Sequence, residues 1–284
     1  NFSNSSRGEA YVGTVSGTSI SFGSAVVFEN STNTSGPAAT FDSNTNKVVV
    51  AYNASSGGFG GRAIVGTVSG NSISFGSSVA LSESSPSFTR ATFDSNSNKV
   101  VLVYKEESST NGVAVVGTVS GDSISFGSPT SFVAQLQYSP GVAIDSSSKM
   151  VVAYRDPGNS NYGTAKVGTI SGTSISFGSA VVFESVNAPY KTEAIFDSSA
   201  NKFLIAYTAY TATPVGKIIA GTVSGTSISF DSPVVFDSPG GRGNTTTMTF
   251  DSASNKAVLV FGTSNNNHES VVYQAEDQDG NTGS

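Results

Sequence analysis

"VGTVSGTSISFGSAVVFE" occupies Val12 to Glu29, and close copies begin at Val65, Val116, Val167 and Ala220. The Gly of the shared Gly-Thr pair falls at Gly13, Gly66, Gly117, Gly168 and Gly221, a spacing of 51 to 53 residues. A second landmark keeps step with it: "FDSNTNK" at Phe41, "FDSNSNK" at Phe93, "IDSSSK" at Ile144, "FDSSANK" at Phe196 and "FDSASNK" at Phe250. Self-similarity at a period of about 50 residues means one supersecondary unit used again and again, each copy burying its apolar face against the next.

Within one period the apolar residues alternate or run together and break at turn residues, which predicts strands. In the unit from Thr89, "TRATF" (Thr89 to Phe93) is a short strand and "DSNSN" a tight turn. "KVVLVY" (Lys99 to Tyr104) is almost wholly apolar, hence a strand buried on both faces. "VAVVGTV" (Val113 to Val119) is a third strand, "SGDS" a Gly-bearing hairpin turn, and Ser123 to Phe132 a Ser/Phe-alternating outer strand. No segment carries a 3.6-residue apolar period, so essentially no helix is expected.

Four antiparallel strands per unit predict an all-β, five-bladed β-propeller, its ring closed by strands from both termini. A β-solenoid is the rival, but its rungs are shorter and parallel, whereas two tight turns per unit demand hairpins. The repeats fall at about 36–86, 87–137, 138–189 and 190–243. The fifth blade comes from 244–275 plus 8–30, with 276–284 as a tail. Third-type strands number six against five of the other types, and the extra one is "ESVVYQA" (Glu269 to Ala275). It either links to further chain or completes a neighbouring molecule's sheet by strand addition.

Charged residues make up only 12 % of the 284, and the net charge is −6 with no Lys/Arg cluster. That excludes the basic stripe needed for nucleic acid or an anionic membrane, and no apolar run is long enough to span a bilayer. There is no Cys for disulfides or thiolate metal sites. The chain shows no signal peptide and starts at Asn, which reads as a processed chain or an excised segment. Six Asn-x-Ser/Thr sequons, at Asn1, Asn4, Asn30, Asn33, Asn53 and Asn244, are what this composition yields by chance.

The recurring aspartates Asp42, Asp94, Asp145, Asp197 and Asp251 echo the opening of a calcium loop. The closing carboxylate is missing, however, since the twelfth position is Asn53 in one copy and Lys105 in the next. Asx turns, each carboxylate capping its own backbone, account for all five. A glycosidase needs two unlike carboxylates at a set separation, yet the recurring acids are equivalent by repetition. Glu83, Glu106, Glu107, Asp156 and Glu193 stand singly in loops, and the lone His268 has no triad or metal partners. No catalytic residue, metal site or cofactor is therefore assigned, and the expectation is a non-enzyme.

Two kinds of connection contrast. The DSNTN-type and SGTS-type turns are nearly constant, while those at the opposite ends of the strands differ in every copy. Relaxed constraint on exposed loops explains part of this. The variable loops also carry aromatics beside cationic groups: Phe59 and Arg62, Phe88 and Arg90, Tyr138, Arg155 and Tyr162, Tyr190 and Lys191, and Tyr210. Aromatic faces stack on sugar rings while Arg, Lys and Asn bond hydroxyls, so these ten are the candidate ligand-binding residues. Tyr52, Tyr104, Tyr154 and Tyr207 end the second strands and are read as packing between blades.

The unit "VGTVSGTSISFGS … FDSNTNKVVVAY" resembles the roughly 50-residue propeller repeats of predicted tail-fibre and surface proteins of marine phages and bacteria. The resemblance covers nearly the whole chain and implies an extracellular, non-catalytic role on a virion or cell surface, without supplying site residues. The expectation is a secreted or surface-borne module binding a glycan or cell-surface ligand, as part of a fibre or adhesin. The alternative is a structural fibre subunit that self-assembles through the spare C-terminal strand.

Overall fold

The repeated word becomes a repeated sheet. The structure, a computed structural model, describes residues 7–30, 34–54, 60–82, 86–210, 214–237, 247–262 and 267–275. The described residues form strands and turns with no helix. The fold is an all-β, five-blade propeller arrangement of antiparallel sheets, in which four repeats form complete sheets. The N-terminal strands form two two-stranded sheets and the C-terminal strands a three-stranded one. The chain forms two compact units, Asn1–Thr130 with Gly172–Ser174, and Ser131–Ser171 with Ile175–Ser284.

In the first unit, Ser35–Asp42, Lys47–Ala54 and Gly60–Ser69 pair in order, and the outer position is shared by Ser72–Phe75 and Val79–Ser82. The outer strand is thus broken into two, each pairing with a different half of Gly60–Ser69. The same break recurs elsewhere: Ser123–Phe126 and Thr130–Val133 are separate strands, not the single one expected over 123–132. The cause lies in "FGS": the Gly76 N–H donates to the Val65 carbonyl at 2.9 Å and turns the chain before pairing resumes.

That glycine has a second reason to be one. A Cβ at Gly76 would lie 1.9 Å from the Asp122 carbonyl oxygen, in the hairpin turn of the following repeat. Gly23 meets the Asn71 carbonyl in the same way, Gly127 that of Thr173, and Gly178 that of Thr226. Each repeat therefore seats its third-to-outer turn against the backbone of the repeat before it. In the fifth copy the position is Asp231, whose N–H still donates to Ala220 at 3.0 Å and whose carboxylate pairs with Lys202 at 2.7 Å.

The second strands are buried as expected, Val100 through Tyr104 being inaccessible to solvent. Their terminal tyrosines pack between repeats: Tyr52 on Phe28 at 5.0 Å, Tyr154 on Phe132 at 5.3 Å, and Tyr207 on Phe183 at 5.1 Å. Phe261 takes the place of the tyrosine in the last sheet, 5.1 Å from Phe236. Burial pushes the Tyr52 and Tyr104 hydroxyls up to about 12.

One of these contacts is also ionic. Glu184, 6 % exposed, accepts from Lys217 Nζ at 2.8 Å, from the Tyr207 hydroxyl at 3.3 Å, and from the amides of Val186 and Asn187. Burial works to raise its carboxyl, but Lys217 and the two amides outweigh burial and hold it below the ordinary glutamate value.

At the ends, Gly8–Ala10 pairs with Val26–Glu29 and Gly13–Ser16 with Ser19–Phe22, each a two-stranded sheet. The C-terminal sheet has the order Thr247–Asp251, Lys256–Gly262, His268–Tyr273. The extra third-type strand thus pairs with Lys256–Gly262, from Ala257↔Tyr273 to Gly262↔His268.

Two tests follow from the seams between repeats. Gly178→Ala forces a methyl group into the Thr226 carbonyl and is expected to cost about 1–3 kcal/mol or more in chemical denaturation. Asp231→Ala, which removes the exposed half of the pair with Lys202, is expected to cost under about 1 kcal/mol. Because the folded Glu184 value is depressed, its contribution is present above the unfolded value of about 4.3. It is lost as pH falls through the lower folded value. Glu184→Gln should destabilise at pH 7 by about 1–3 kcal/mol and should flatten the acid limb of a melting-temperature profile. An acid limb identical to the parent's would refute the pairing.

Candidate functional site

The variable connections leave from the ends of the second strands and return to the starts of the first strands. Local chemistry shapes these places. In the loop after Lys149–Asp156, the Asp156 carbonyl accepts the Asn159 N–H at 3.1 Å and the Asp156 carboxylate accepts the Gly158 N–H at 3.0 Å. Ser160 and Asn161 follow with φ of 54° and 61°, which reverses the chain so that Tyr162 comes opposite Asp156. Asn161 Oδ1 then accepts from Arg155 Nε at 3.1 Å. That bond fixes the guanidinium.

Arg155 lies over the Tyr138 ring, 5.1 Å from its centre. Tyr138 meets Tyr190 of the following repeat at 4.6 Å, and Tyr190 meets Tyr210 at 5.9 Å. Four of the ten candidate residues thus form one row: Arg155, Tyr138, Tyr190, Tyr210. Tyr138 and Tyr190 are half-buried and Tyr210 is 60 % exposed, so the row presents ring surface to solvent from a supported base. A cation over one ring and three contiguous aromatic rings suit a ligand with apolar C–H faces and hydroxyl edges.

Support comes from below. Thr192, 3 % exposed, donates its hydroxyl to the Ala153 carbonyl at 2.7 Å and accepts the Gly141 N–H at 2.9 Å. It ties the first strand of one repeat to two strands of the preceding one. Gly141 permits the approach, since a Cβ there would lie 2.7 Å from the backbone of Glu193. A shift of register between Pro189 and Thr192 leaves Tyr190 and Lys191 outside the regular pairing. The Tyr210 N–H donates to the Ala188 carbonyl at 3.2 Å, holding the two tyrosine-bearing strands together. Reading the sequence misses Thr192, Gly141 and Asn161. Gly141 had one signal, a glycine where the other copies begin the first strand with a side chain.

The other candidates stand elsewhere. Lys191 is half-buried beside the row, and Tyr162 sits opposite Asp156. In the first unit Arg62 is half-buried, with Nη1 donating to Ser78 Oγ at 3.3 Å, and Arg90 is half-buried. Phe59 lies outside the described residues. Phe88 is 39 % exposed and adopts φ 56° at a bulge between Ser87 and Arg90. The first repeat fills the corresponding place with Gly36 at φ 58°. An aromatic residue held in the left-handed region costs about 1–2 kcal/mol, which marks it as a functional candidate.

The recurring aspartates do what Asx turns require. Asp42 accepts the amides of Asn44 and Thr45 at 3.0 Å each, Asp197 those of Ser199 and Ala200, and Asp251 that of Ala253. The residue closing each turn is left-handed: Asn46, Asn98, Ser148, Asn201 and Asn255, with φ from 53° to 59°. Asn adopts that conformation with little strain, which is why "NK" ends four of the five turns. Among the described residues, no three His, Cys, Asp or Glu side chains are grouped to hold a metal ion.

No family model and no curated protein matches this sequence. Solved structures do. A protein from Lactobacillus plantarum aligns over 95 % of this chain and 92 % of its own, at 9 % identity and a TM-score of 0.48. The leech intramolecular trans-sialidase, complexed with 2,7-anhydro-Neu5Ac, aligns over 94 % of this chain at 11 % identity and a TM-score of 0.53. This chain spans 42 % of that enzyme. At such identities the likeness is one of fold.

If Phe88 is held at φ 56°, the ranking of replacements is set by backbone strain. Phe88→Val, β-branched, is expected to be about 1–2 kcal/mol less stable than Phe88→Gly, although Val retains more apolar surface. Urea unfolding of the two variants checks this; the opposite order would show that the bulge relaxes.

Proposed function

We propose that this chain is a non-catalytic, extracellular carbohydrate-binding module, part of a fibre or adhesin, and that the row Arg155–Tyr138–Tyr190–Tyr210 is its contact surface. One observation carries the reading: side chains from separate variable loops of two neighbouring repeats converge into a single aromatic strip capped by a cation. The strip is about two sugar units long, judging from its ring spacings of 4.6 and 5.9 Å. Sugar rings would lie on the tyrosine faces. Arg155, Lys191 and Asn161 would bond hydroxyl or carboxylate oxygens along the edge. The fold's likeness to an enzyme holding 2,7-anhydro-Neu5Ac favours a carbohydrate ligand. The recurring carboxylates, engaged in their own turns, favour binding without hydrolysis.

The test is a broad glycan array followed by calorimetry on the best ligand. Tyr190→Ala, in the middle of the strip, should weaken binding at least about tenfold, and Tyr210→Ala less. Thr192→Val should weaken it through misplacement of Tyr190, with Thr192→Ser restoring it. Product analysis after prolonged incubation should find the glycan intact. An array with no signal, or affinity indifferent to Tyr190, sinks the proposal.

A further inference from the structure

The row of Arg155, Tyr138, Tyr190 and Tyr210 begins with a cation whose charge no carboxylate among the described residues neutralises. In strand register Arg155 opposes Gly163, as Asn53 opposes Gly61, Lys105 opposes Gly112 and Thr208 opposes Gly216. Each stands one place after the buried tyrosine that ends a second strand. Asn53 and Thr208 are uncharged, so only two of the four places hold a cation. Lys105 is balanced where it stands: its Nζ donates to Glu107 at 3.1 Å, and Glu107 also accepts the Ser87 hydroxyl. Two places after Arg155 the residue is Pro157, where two places after Lys105 it is Glu107. Asp156 offers no substitute, because its carboxylate accepts the Gly158 N–H at 3.0 Å.

The way Arg155 is held decides which part of it remains for a ligand. A guanidinium has two faces and a planar edge of N–H donors. Arg155 lays a face over the Tyr138 ring, 5.1 Å from its centre, and donates from Nε to Asn161 Oδ1 at 3.1 Å. Both contacts fix its tilt, and neither uses Nη1 or Nη2. The N–H fork that binds an oxyanion through two parallel hydrogen bonds is therefore kept in a set direction. Arg155 is half-buried, so salt and water screen its charge less than that of a cation at a loop tip. Lys191, half-buried beside the row, adds a second positive charge.

We infer that the row takes an acidic glycan, a sugar carboxylate or sulfate docking on the Nη1/Nη2 edge of Arg155 while the sugar rings run toward Tyr190 and Tyr210. The inference rests on the carbohydrate reading of the row and narrows it to one ligand class. The ligand's oxyanion supplies the partner that Glu107 supplies to Lys105 within the chain. The row also has a polarity. Its fixed cation is at the Tyr138 end, whereas Thr208, two places before Tyr210, is buried and uncharged. The acidic sugar is held at the first end, and the far end, all ring surface, suits a neutral one. The net charge of −6 repels anions from the chain as a whole. A preference for the acidic form must therefore come from this local arrangement.

Matched pairs of glycans test this by titration calorimetry on the full chain. The probes are oligosaccharides of polygalacturonate, alginate and hyaluronan, each beside its carboxyl-reduced form, and of carrageenan and chondroitin sulfate, each beside its desulfated form. For the best-bound acidic probe, the parent should bind the acidic form at least about tenfold more tightly than its neutral partner. Which neutralisation removes the affinity tells carboxylate from sulfate. Arg155→Gln should bring that ratio to about one or below, and Arg155→Lys, which keeps the charge but not the fork, should keep only part of it. Tyr190→Ala should weaken both forms by a similar factor and leave the ratio standing, because it removes ring surface and no charge. Melting temperatures verify that each variant is folded. Neutral partners bound as tightly as acidic ones, or a preference that survives Arg155→Gln in a folded variant, overturns the inference. Binding of neutral glycans alone does so while leaving the carbohydrate reading in place, whereas no binding by any glycan overturns both.

Discussion

Everything in this fold depends on how closely one repeat lets the next approach. A carbonyl oxygen within 2 Å of a would-be Cβ leaves no room for a side chain. The turn carrying that carbonyl and the glycine that receives it must therefore be kept together in every inner copy. The seam then stacks further layers outward: an isoleucine over Gly66 or its equivalent, a phenylalanine from the broken outer strand, and a buried tyrosine at the end of the next second strand. No layer tolerates change alone. Interiors packed to this density transmit a misfit to their neighbours, which is why a stretch with so little chemistry in it is copied so faithfully.

Much of this was legible because the forces are local or periodic. The Asx turns follow from Asp at one position and a residue tolerant of left-handed backbone four places later. The second strands follow from unbroken β-branched runs, and the burial of Tyr52, Tyr104, Tyr154 and Tyr207 from their place at the ends of those runs. The broken outer strand was not legible. "SISFGSPTSF" alternates as one strand would, and the break appears only when Gly127 is seen facing the Thr173 carbonyl. A glycine's reason for being there is often another segment's backbone.

The site was legible as a set of residue types but not as an arrangement. Ten aromatic and cationic side chains in variable loops are indistinguishable by sequence; four converge because of details with no periodic signature. The register shift ahead of Thr192 frees Tyr190, Gly141 lets two strands meet, and a pair of left-handed residues brings Asn161 back to Arg155. The scaffold supplies rigidity and the irregularities supply direction. Phe88 shows the same division, an exposed ring kept in a backbone conformation for which another repeat uses glycine.

Differences between near-identical copies carry meaning only when set against the contact each position makes. Asp231 and Tyr273 look like wear in the sequence. Yet Asp231 pairs with Lys202, and among the described residues the strand that carries Tyr273 pairs with Lys256–Gly262 alone. Where the inner copies keep glycine, these two positions carry a charged side chain and a bulky ring. Ile20 and Phe22 show the converse, holding the inner spelling without the inner burial. Copying the whole unit carries those letters along even at positions left exposed.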